Sequence, residues 1–371
     1  MMAAPAGATL EPSFEGDFSP GEPFSLEAGG VLAAPTLHYA IYGEPNAAAD
    51  NVVFVAHALS GSARVADWWP WLFSERGLLH GGGHCVIGIN MLGSCYGSTG
   101  PGSIDPATGE PYGANFPLVS IGDMVTLQMR LLQSLHIPRL KLVMGASIGG
   151  MQAMAMAIRF PERVRRVISI GAAPLRALGL GLNHLQRQMI QLDPAWQGGR
   201  YLPEAPPHKG LALARALAVC TYKSPELFTE RFARKPDRSG EDPWVSAHER
   251  SLGLSGPRFD VGGYLDYQGE RFVERFDANA YLAITRTMDT FELTRGFTPP
   301  EAAYRRIQAE VLLVGISSDW LFPAAEIAEL SDGMRKAGVE CMYRELTSAH
   351  GHDAFLAEPE PLATLLRDFF E

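Results

Sequence analysis

Short apolar runs, each closing in a polar or glycine-rich loop and separated by amphipathic stretches, limit most strongly what this chain can fold into. The clearest are NVVFVAHALSG (51 to 61), HCVIGINMLGS (84 to 94), LKLVMGASIGG (140 to 150), VRRVISIGAAP (164 to 174), EVLLVGISSDW (310 to 320) and VECMYRELTSAHGHD (339 to 353). Unbroken Val/Ile-rich runs of this length read as strands buried on both faces, and the helical stretches between them supply the cover. The expectation is an α/β fold with a mainly parallel sheet and helices on both faces. Ahead of the first run, GVLAAPTLHYAIYGEPNA alternates and carries a turn signal, which suits an antiparallel edge hairpin. SIGDMVTLQMRLLQSLHI (120 to 137) has apolar residues at helical spacing behind Ser120, a residue suited to capping.

Between about 175 and 305 the strand-like runs stop. Helical segments take over, among them GLNHLQRQMIQLD, KGLALARALAVCTY and DANAYLAITRTMDTFEL, broken by the Gly/Pro-rich GGRYLPEAPPHKG and KPDRSGEDPW. The chain of 371 residues exceeds the ~100–200 residues usual for one domain. The division expected is a poorly ordered N-terminal extension (1–20), an α/β core (21–174 and 306–371) and an inserted helical lid (175–305).

A formal charge of −10 and the lack of a clustered Lys/Arg surface speak against nucleic acid as a partner. No apolar stretch approaches the ~18 residues of a membrane span. The N-terminal stretch lacks a basic n-region and an apolar h-region, so a cytoplasmic location is expected. Four cysteines, Cys85, Cys95, Cys220 and Cys341, lie far apart without a C-x-x-C pair. They read as buried free thiols, with Cys95, in the loop LGSCYGSTGP, the one to watch.

Chemistry concentrates at Gly145-Ala146-Ser147-Ile148-Gly149, which fits G-x-S-x-G between a strand and a helix. A serine on so tight a turn is a candidate nucleophile, and in this architecture its acid and base follow in the order Ser, Asp/Glu, His. Asp319 lies just past the run VLLVGIS, and His352 follows CMYREL. Asp319 can alternatively cap the helix that begins near PAAEIAEL. His350 competes with His352 as the base. His57 falls out of order and suits a role in shaping the loop that binds an oxyanion. Donors for that oxyanion are expected at the backbone N–H groups of Ile148 and Leu59.

With these residues assembled, the chain resembles the homoserine O-acetyltransferase family of α/β-hydrolase-fold acyltransferases, from about residue 20 to the end. HALSGSARVADWW is similar to the family's oxyanion segment, NMLGSCYGSTGPGSIDPATGEPYG to its glycine-rich loop, and GASIGGMQA to its nucleophile turn. YLDYQGERFVERFDANAYLAITRTMD resembles its lid, and SSDWLFP and GHDAFL its acid and base motifs. The resemblance implies Ser147 as nucleophile, Asp319 as acid and His352, rather than His350, as base. It further implies that Asp353 holds the acceptor's amino group and Arg215 its carboxylate. From the residues alone, Asp353 reads equally as a loop residue and Arg215 as a charge on the lid surface.

Three positions depart from the family pattern: Ala146 for the usual Gly, Ile148 for Met, and His350 where Tyr is commoner. Leu321, two residues after Asp319, resembles the acetyl-using rather than the succinyl-using members. The implied reaction moves an acetyl group from acetyl-CoA, a co-substrate, to L-homoserine by ping-pong chemistry in methionine biosynthesis, in a homodimer. No bound cofactor or metal is called for. The alternatives are a homoserine or serine O-succinyltransferase, an ester or thioester hydrolase on the same fold, and a non-catalytic binding protein.

Overall fold

The computed structural model describes residues 10–81, 83–236 and 259–370. Each of the six apolar runs contains a strand: β5 (Val52–Ala56), β6 (Cys85–Ile89), β7 (Leu142–Ala146), β8 (Arg166–Ile170), β9 (Glu310–Ile316) and β10 (Cys341–Leu346). With β1 (Phe14–Phe18) and β4 (Leu37–Tyr42) they form one eight-stranded sheet in the order β1-β4-β6-β5-β7-β8-β9-β10. The pairs from β6 to β10 are parallel, and β4 runs antiparallel to both β6 and β1. The two-residue strands β2 (Phe24–Ser25) and β3 (Val31–Leu32) pair only with each other.

Two expectations change here. The edge strand is β1, whose Phe14–Phe18 lie within the segment expected to be a poorly ordered extension; residues 1–9 lie outside the described residues. The alternating stretch after residue 30 is therefore no edge hairpin, because Leu37–Tyr42 is covered on one side by β1 and on the other by β6. Polar residues in FEGDF hide the strand from an apolar-run search, yet an edge strand buries only part of itself and can be polar. His38 of β4 ties the pair, with Nδ1 2.8 Å from Asp17 and Nε2 3.0 Å from Glu15.

Alternation along the strands divides the core into two layers. Val52 and Phe54 of β5 face one layer with Leu127 and Met151, whereas Val53 and Val55 face the other with Trp69, Leu362 and Phe369. Counting only helices of eight residues or more, α1 (Ile121–Ser134) and α2 (Ile148–Arg159) cover the first face. Ser120 accepts the Asp123 N–H while the Asp123 carboxylate accepts that of Ser120, a reciprocal cap that starts α1 where the sequence suggested. Helix α9 (Pro359–Phe370) covers the second face.

Between β8 and β9 the chain forms α3 (Ala177–Gln191), α4 (His208–Tyr222), α5 (Pro225–Phe232), α6 (Asp260–Val273) and α7 (Ala278–Asp289). Residues 237–258 of the expected insertion, including most of KPDRSGEDPW, lie outside the described residues. Helix α8 (Ala324–Lys336) joins β9 to β10. No helix among the described residues is long and apolar enough to cross a membrane.

Candidate active site

Ser147 sits where β7 ends and α2 begins, with φ 58° and ψ −130°. That left-handed backbone is uncommon for a residue with a Cβ and marks a local strain held by its surroundings. Two backbone bonds hold it: the Ser147 N–H donates to the Ile170 carbonyl at 2.9 Å, and the Ser147 carbonyl accepts from Met151 at 3.1 Å. Gly149 is required by close approach, since a Cβ there would lie 2.1 Å from the Ala56 carbonyl oxygen. The Ser147 hydroxyl has no hydrogen-bond partner among the described residues.

Asp319 and His352 come from loops after β9 and β10, which are parallel neighbours. The His352 Nδ1 lies 2.6 Å from Asp319 Oδ2, and both side chains are buried. The other Asp319 oxygen accepts the N–H groups of Leu321 and Phe322, each at 2.9 Å. Asp319 therefore folds its own loop and does not cap α8, whose cap residue is Pro323. Ser318 braces the two loops by donating to the Ser348 carbonyl and accepting from the Gly351 N–H.

Burial, the largest influence on His352, disfavours its charged form. The charge and hydrogen bond of Asp319, helped by Asp353, outweigh it and raise the pKa above the ordinary 6.5. The ring is walled by Phe322, Tyr222 and Phe355, with centroids 5.2, 5.9 and 6.0 Å away. Gly171, directly after β8, ties the pair to the serine turn. A Cβ on Gly171 would lie 3.4 Å from both Asp319 Oδ2 and His352 Cε1, and the preceding residue, Ile170, accepts from Ser147. His350 points elsewhere, with Nε2 3.7 Å from Glu358.

His57 is fully buried and held by Met91, whose N–H donates to Nε2 at 3.2 Å, while Nδ1 donates to the Ala58 carbonyl at 2.8 Å. Accepting at one nitrogen makes the ring neutral, and burial lowers its pKa to about 4. It thus braces the loop carrying Leu59 against the loop after β6. Among the described residues, neither the Leu59 N–H nor the Ile148 N–H donates to another protein group. Leu321 is partly buried against the main core layer.

Arg215 of α4 stacks its guanidinium 5.3 Å from the Tyr222 ring and 4.9 Å from that of Phe272. Burial raises the Tyr222 phenol, and its hydroxyl lies in the fields of both Arg215 and Asp353. Arg215 therefore stacks on an aromatic ring that itself packs on the candidate base and whose hydroxyl also feels the charge of Asp353. Sequence reasoning missed Tyr222, and it missed Lys223, whose Nζ is 3.1 Å from Asp353 Oδ2. Both end the helix that carries Arg215; the signal was a polar Tyr-Lys-Ser closing an otherwise apolar helix. It also missed Arg275, which bonds the Ser60 carbonyl and the Tyr96 hydroxyl and so links the insertion to the Leu59 loop.

Cys85 and Cys341 are buried, whereas Cys95 and Cys220 are only partly so. Burial pushes the Cys95 thiol up to about 11, which leaves it unreactive near neutral pH. Among the described residues no three His, Cys, Asp or Glu side chains converge as a metal-binding set.

A sequence model of the alpha/beta hydrolase fold matches residues 51–359. Homoserine O-acetyltransferase of Chlorobium chlorochromatii is 40% identical over 353 residues, covering 95% of this chain and 94% of its own. That of Symbiobacterium thermophilum is 42% identical over 365 residues, covering 94% and 93%. The chain belongs to the homoserine O-acetyltransferase family. Among solved structures, homoserine O-acetyltransferase from Bacillus anthracis superposes with a TM-score of 0.86 at 25% identity, over 96% of this chain and 97% of that one. Esterase E22 superposes equally well, with a TM-score of 0.86 at 25% identity over 96% and 100%. The fold is thus shared between acyl transfer and ester hydrolysis, and side chains around the serine must separate them.

Proposed function

We propose that the protein transfers an acetyl group from acetyl-CoA to the hydroxyl of L-homoserine through an acetyl-Ser147 intermediate. The observation that carries this reading is the 2.6 Å contact between Asp319 and His352 beside the serine turn, in a chain whose relatives bear that name over more than nine-tenths of its length.

In the first half-reaction His352 takes the Ser147 hydroxyl proton while the serine oxygen adds to the thioester carbonyl. The N–H groups of Leu59 and Ile148 hold the oxyanion, each contributing about 3 kcal/mol when preorganised. The C–S bond breaks and His352 returns the proton to the departing CoA sulfur. In the second half, Arg215 holds the carboxylate of homoserine and Asp353 its ammonium. His352 takes the hydroxyl proton, the oxygen attacks the acetyl-serine, and collapse returns the proton to Ser147. Asp319 keeps His352 in the tautomer with Nε2 free. The helices between β8 and β9 serve as a lid that keeps water from the acyl-enzyme.

Leu321 offers no charge to a succinyl carboxylate, which supports acetyl-CoA as the donor. CoA acts as a co-substrate and no bound cofactor is needed. We place the reaction in methionine biosynthesis, in the cytoplasm. The lid also supports a homodimer: Leu178 and Leu185 of α3 and Leu192 directly after it repeat every seven residues and all three are exposed, as is Leu213 of α4. A stripe of this kind on a helix is the usual seam between two chains.

The test is free CoA thiol released from acetyl-CoA by the purified protein, with and without L-homoserine, and with L-serine and succinyl-CoA in parallel. Release that depends on homoserine and prefers acetyl-CoA is expected. Release indifferent to any acceptor would replace this reading with the hydrolase one that esterase E22 exemplifies.

A further inference from the structure

Lys223 closes α4 and is buried, with only 10% of its side chain exposed. A buried ammonium is costly unless paired, and its partner is Asp353, with Nζ 3.1 Å from Oδ2. The pair is fixed from both ends. The Lys223 carbonyl accepts from the Trp320 indole at 3.3 Å, directly after the acid Asp319. Gly351 packs so closely on the Lys223 backbone that a Cβ there would lie 2.9 Å from the Lys223 Cα. Asp353 follows His352 in the chain, and its second oxygen, Oδ1, has no hydrogen-bond partner among the described residues.

We propose that Lys223 is a positioning residue that pins and neutralises Asp353, leaving Oδ1 for the acceptor's ammonium and keeping the carboxylate from holding a proton on His352. The proposal rests on the reading of His352 as the base and Asp353 as the acceptor's ligand. Without Lys223 the carboxylate is free to turn and carries an uncompensated charge beside an imidazole. A negative charge near an imidazole favours its protonated, inactive form. Among the described residues, few groups face His352. They are Asp319 from the loop after β9, Tyr222 of α4 with Arg215 behind it, Asp353, and the uncharged Phe322, Phe355 and Gly171. Of the charged ones, Asp319 is committed to three hydrogen bonds, which leaves Asp353 as the carboxylate whose position is adjustable.

The experiment uses the full chain and phenylmethylsulfonyl fluoride, which Ser147 attacks with loss of fluoride while His352 takes the proton. The inactivation rate is measured from pH 5 to 9, and its midpoint reports the ionisation of His352 whatever fraction of the protein is active. Lys223→Met, with Lys223→Gln as a second neutral variant, is expected to move the midpoint upward by about half a pH unit, the effect of one partly exposed opposite charge near the imidazolium. Lys223→Arg is expected to restore the native midpoint. In an Asp353→Asn background most of the shift should vanish.

An unmoved midpoint in both neutral variants would overturn the proposal. So would a shift of equal size with and without Asp353, since Lys223 would then act as a lone charge. Labelling needs neither acyl donor nor acceptor, so the midpoint stands even where homoserine proves to be the wrong acceptor. Absence of Ser147 labelling in the unsubstituted protein would remove the base and the proposal together.

Discussion

The backbone N–H of Ser147 donates to the carbonyl of Ile170 at 2.9 Å, and a Cβ on the next residue, Gly171, would lie 3.4 Å from both Asp319 and His352. Strand β8 thus acts as the common support of the serine turn and the acid–base pair. Three loops from three parallel strands meet at one end of the sheet because each strand's neighbour is already paired in register.

The strain at Ser147 separates catalysis from stability. Ser147→Ala and Ser147→Gly should both lose activity, by about 10⁴-fold or more. Glycine relieves the left-handed backbone and alanine does not, so the glycine variant should be more stable than the alanine variant by about 1 kcal/mol. Urea unfolding of the two variants measures the difference; equal or reversed stabilities would mean that the turn carries no strain.

Asp319→Asn should leave the fold intact and reduce kcat by about 10³- to 10⁴-fold, because the amide can hold His352 in the wrong tautomer. The charge that raises the His352 pKa is also removed. The acid limb of the residual activity should therefore move to lower pH. A limb that stays in place would show that Asp319 does not govern the base.

These sites were legible to different degrees. The central strands and the serine turn could be read because parallel, doubly buried strands are unbroken apolar runs and the turn demands small residues at fixed positions. The loops holding Asp319 and His352 followed from strand ends, but the choice of His352 over His350 rested on the resemblance to the family. The edge strand β1 was not legible, since Phe14–Phe18 are mostly solvent-facing and carry no period distinct from a polar tail. Tyr222 and Lys223 were missed for another reason: their partners, His352 and Asp353, lie far along the chain, and the polar end of the helix marks the two residues without naming a distant contact.

His57 makes stability depend on pH in a defined window. Its pKa is about 4 in the folded protein, against about 6.5 when unfolded. The neutral form is the one that folds, so this contribution is complete above pH 6.5 and is lost as pH falls from about 6.5 to about 4. The linked free energy is about 3 kcal/mol. Unfolding by urea between pH 4 and 7 should show that slope, and His57→Gln should flatten it even where it lowers stability overall. An unchanged slope would place the acid sensitivity elsewhere.

The exposed leucines of α3 predict an assembly. Leu185→Lys together with Leu192→Lys should convert a dimer to a monomer in sedimentation velocity runs while leaving helical content unchanged. The unsubstituted protein sedimenting as a monomer would show that the leucine stripe has another purpose.

Strand β8 is made before the helices of the insertion, whereas β9 and β10, which bring the acid and the base, are made after them. During synthesis on the ribosome the serine turn can therefore form against β8 long before Asp319 and His352 emerge. On the proposed mechanism, a chain that ends before β9 would lack both groups that serve to deprotonate Ser147. Chemical competence on that mechanism arrives only with the loop after the final strand.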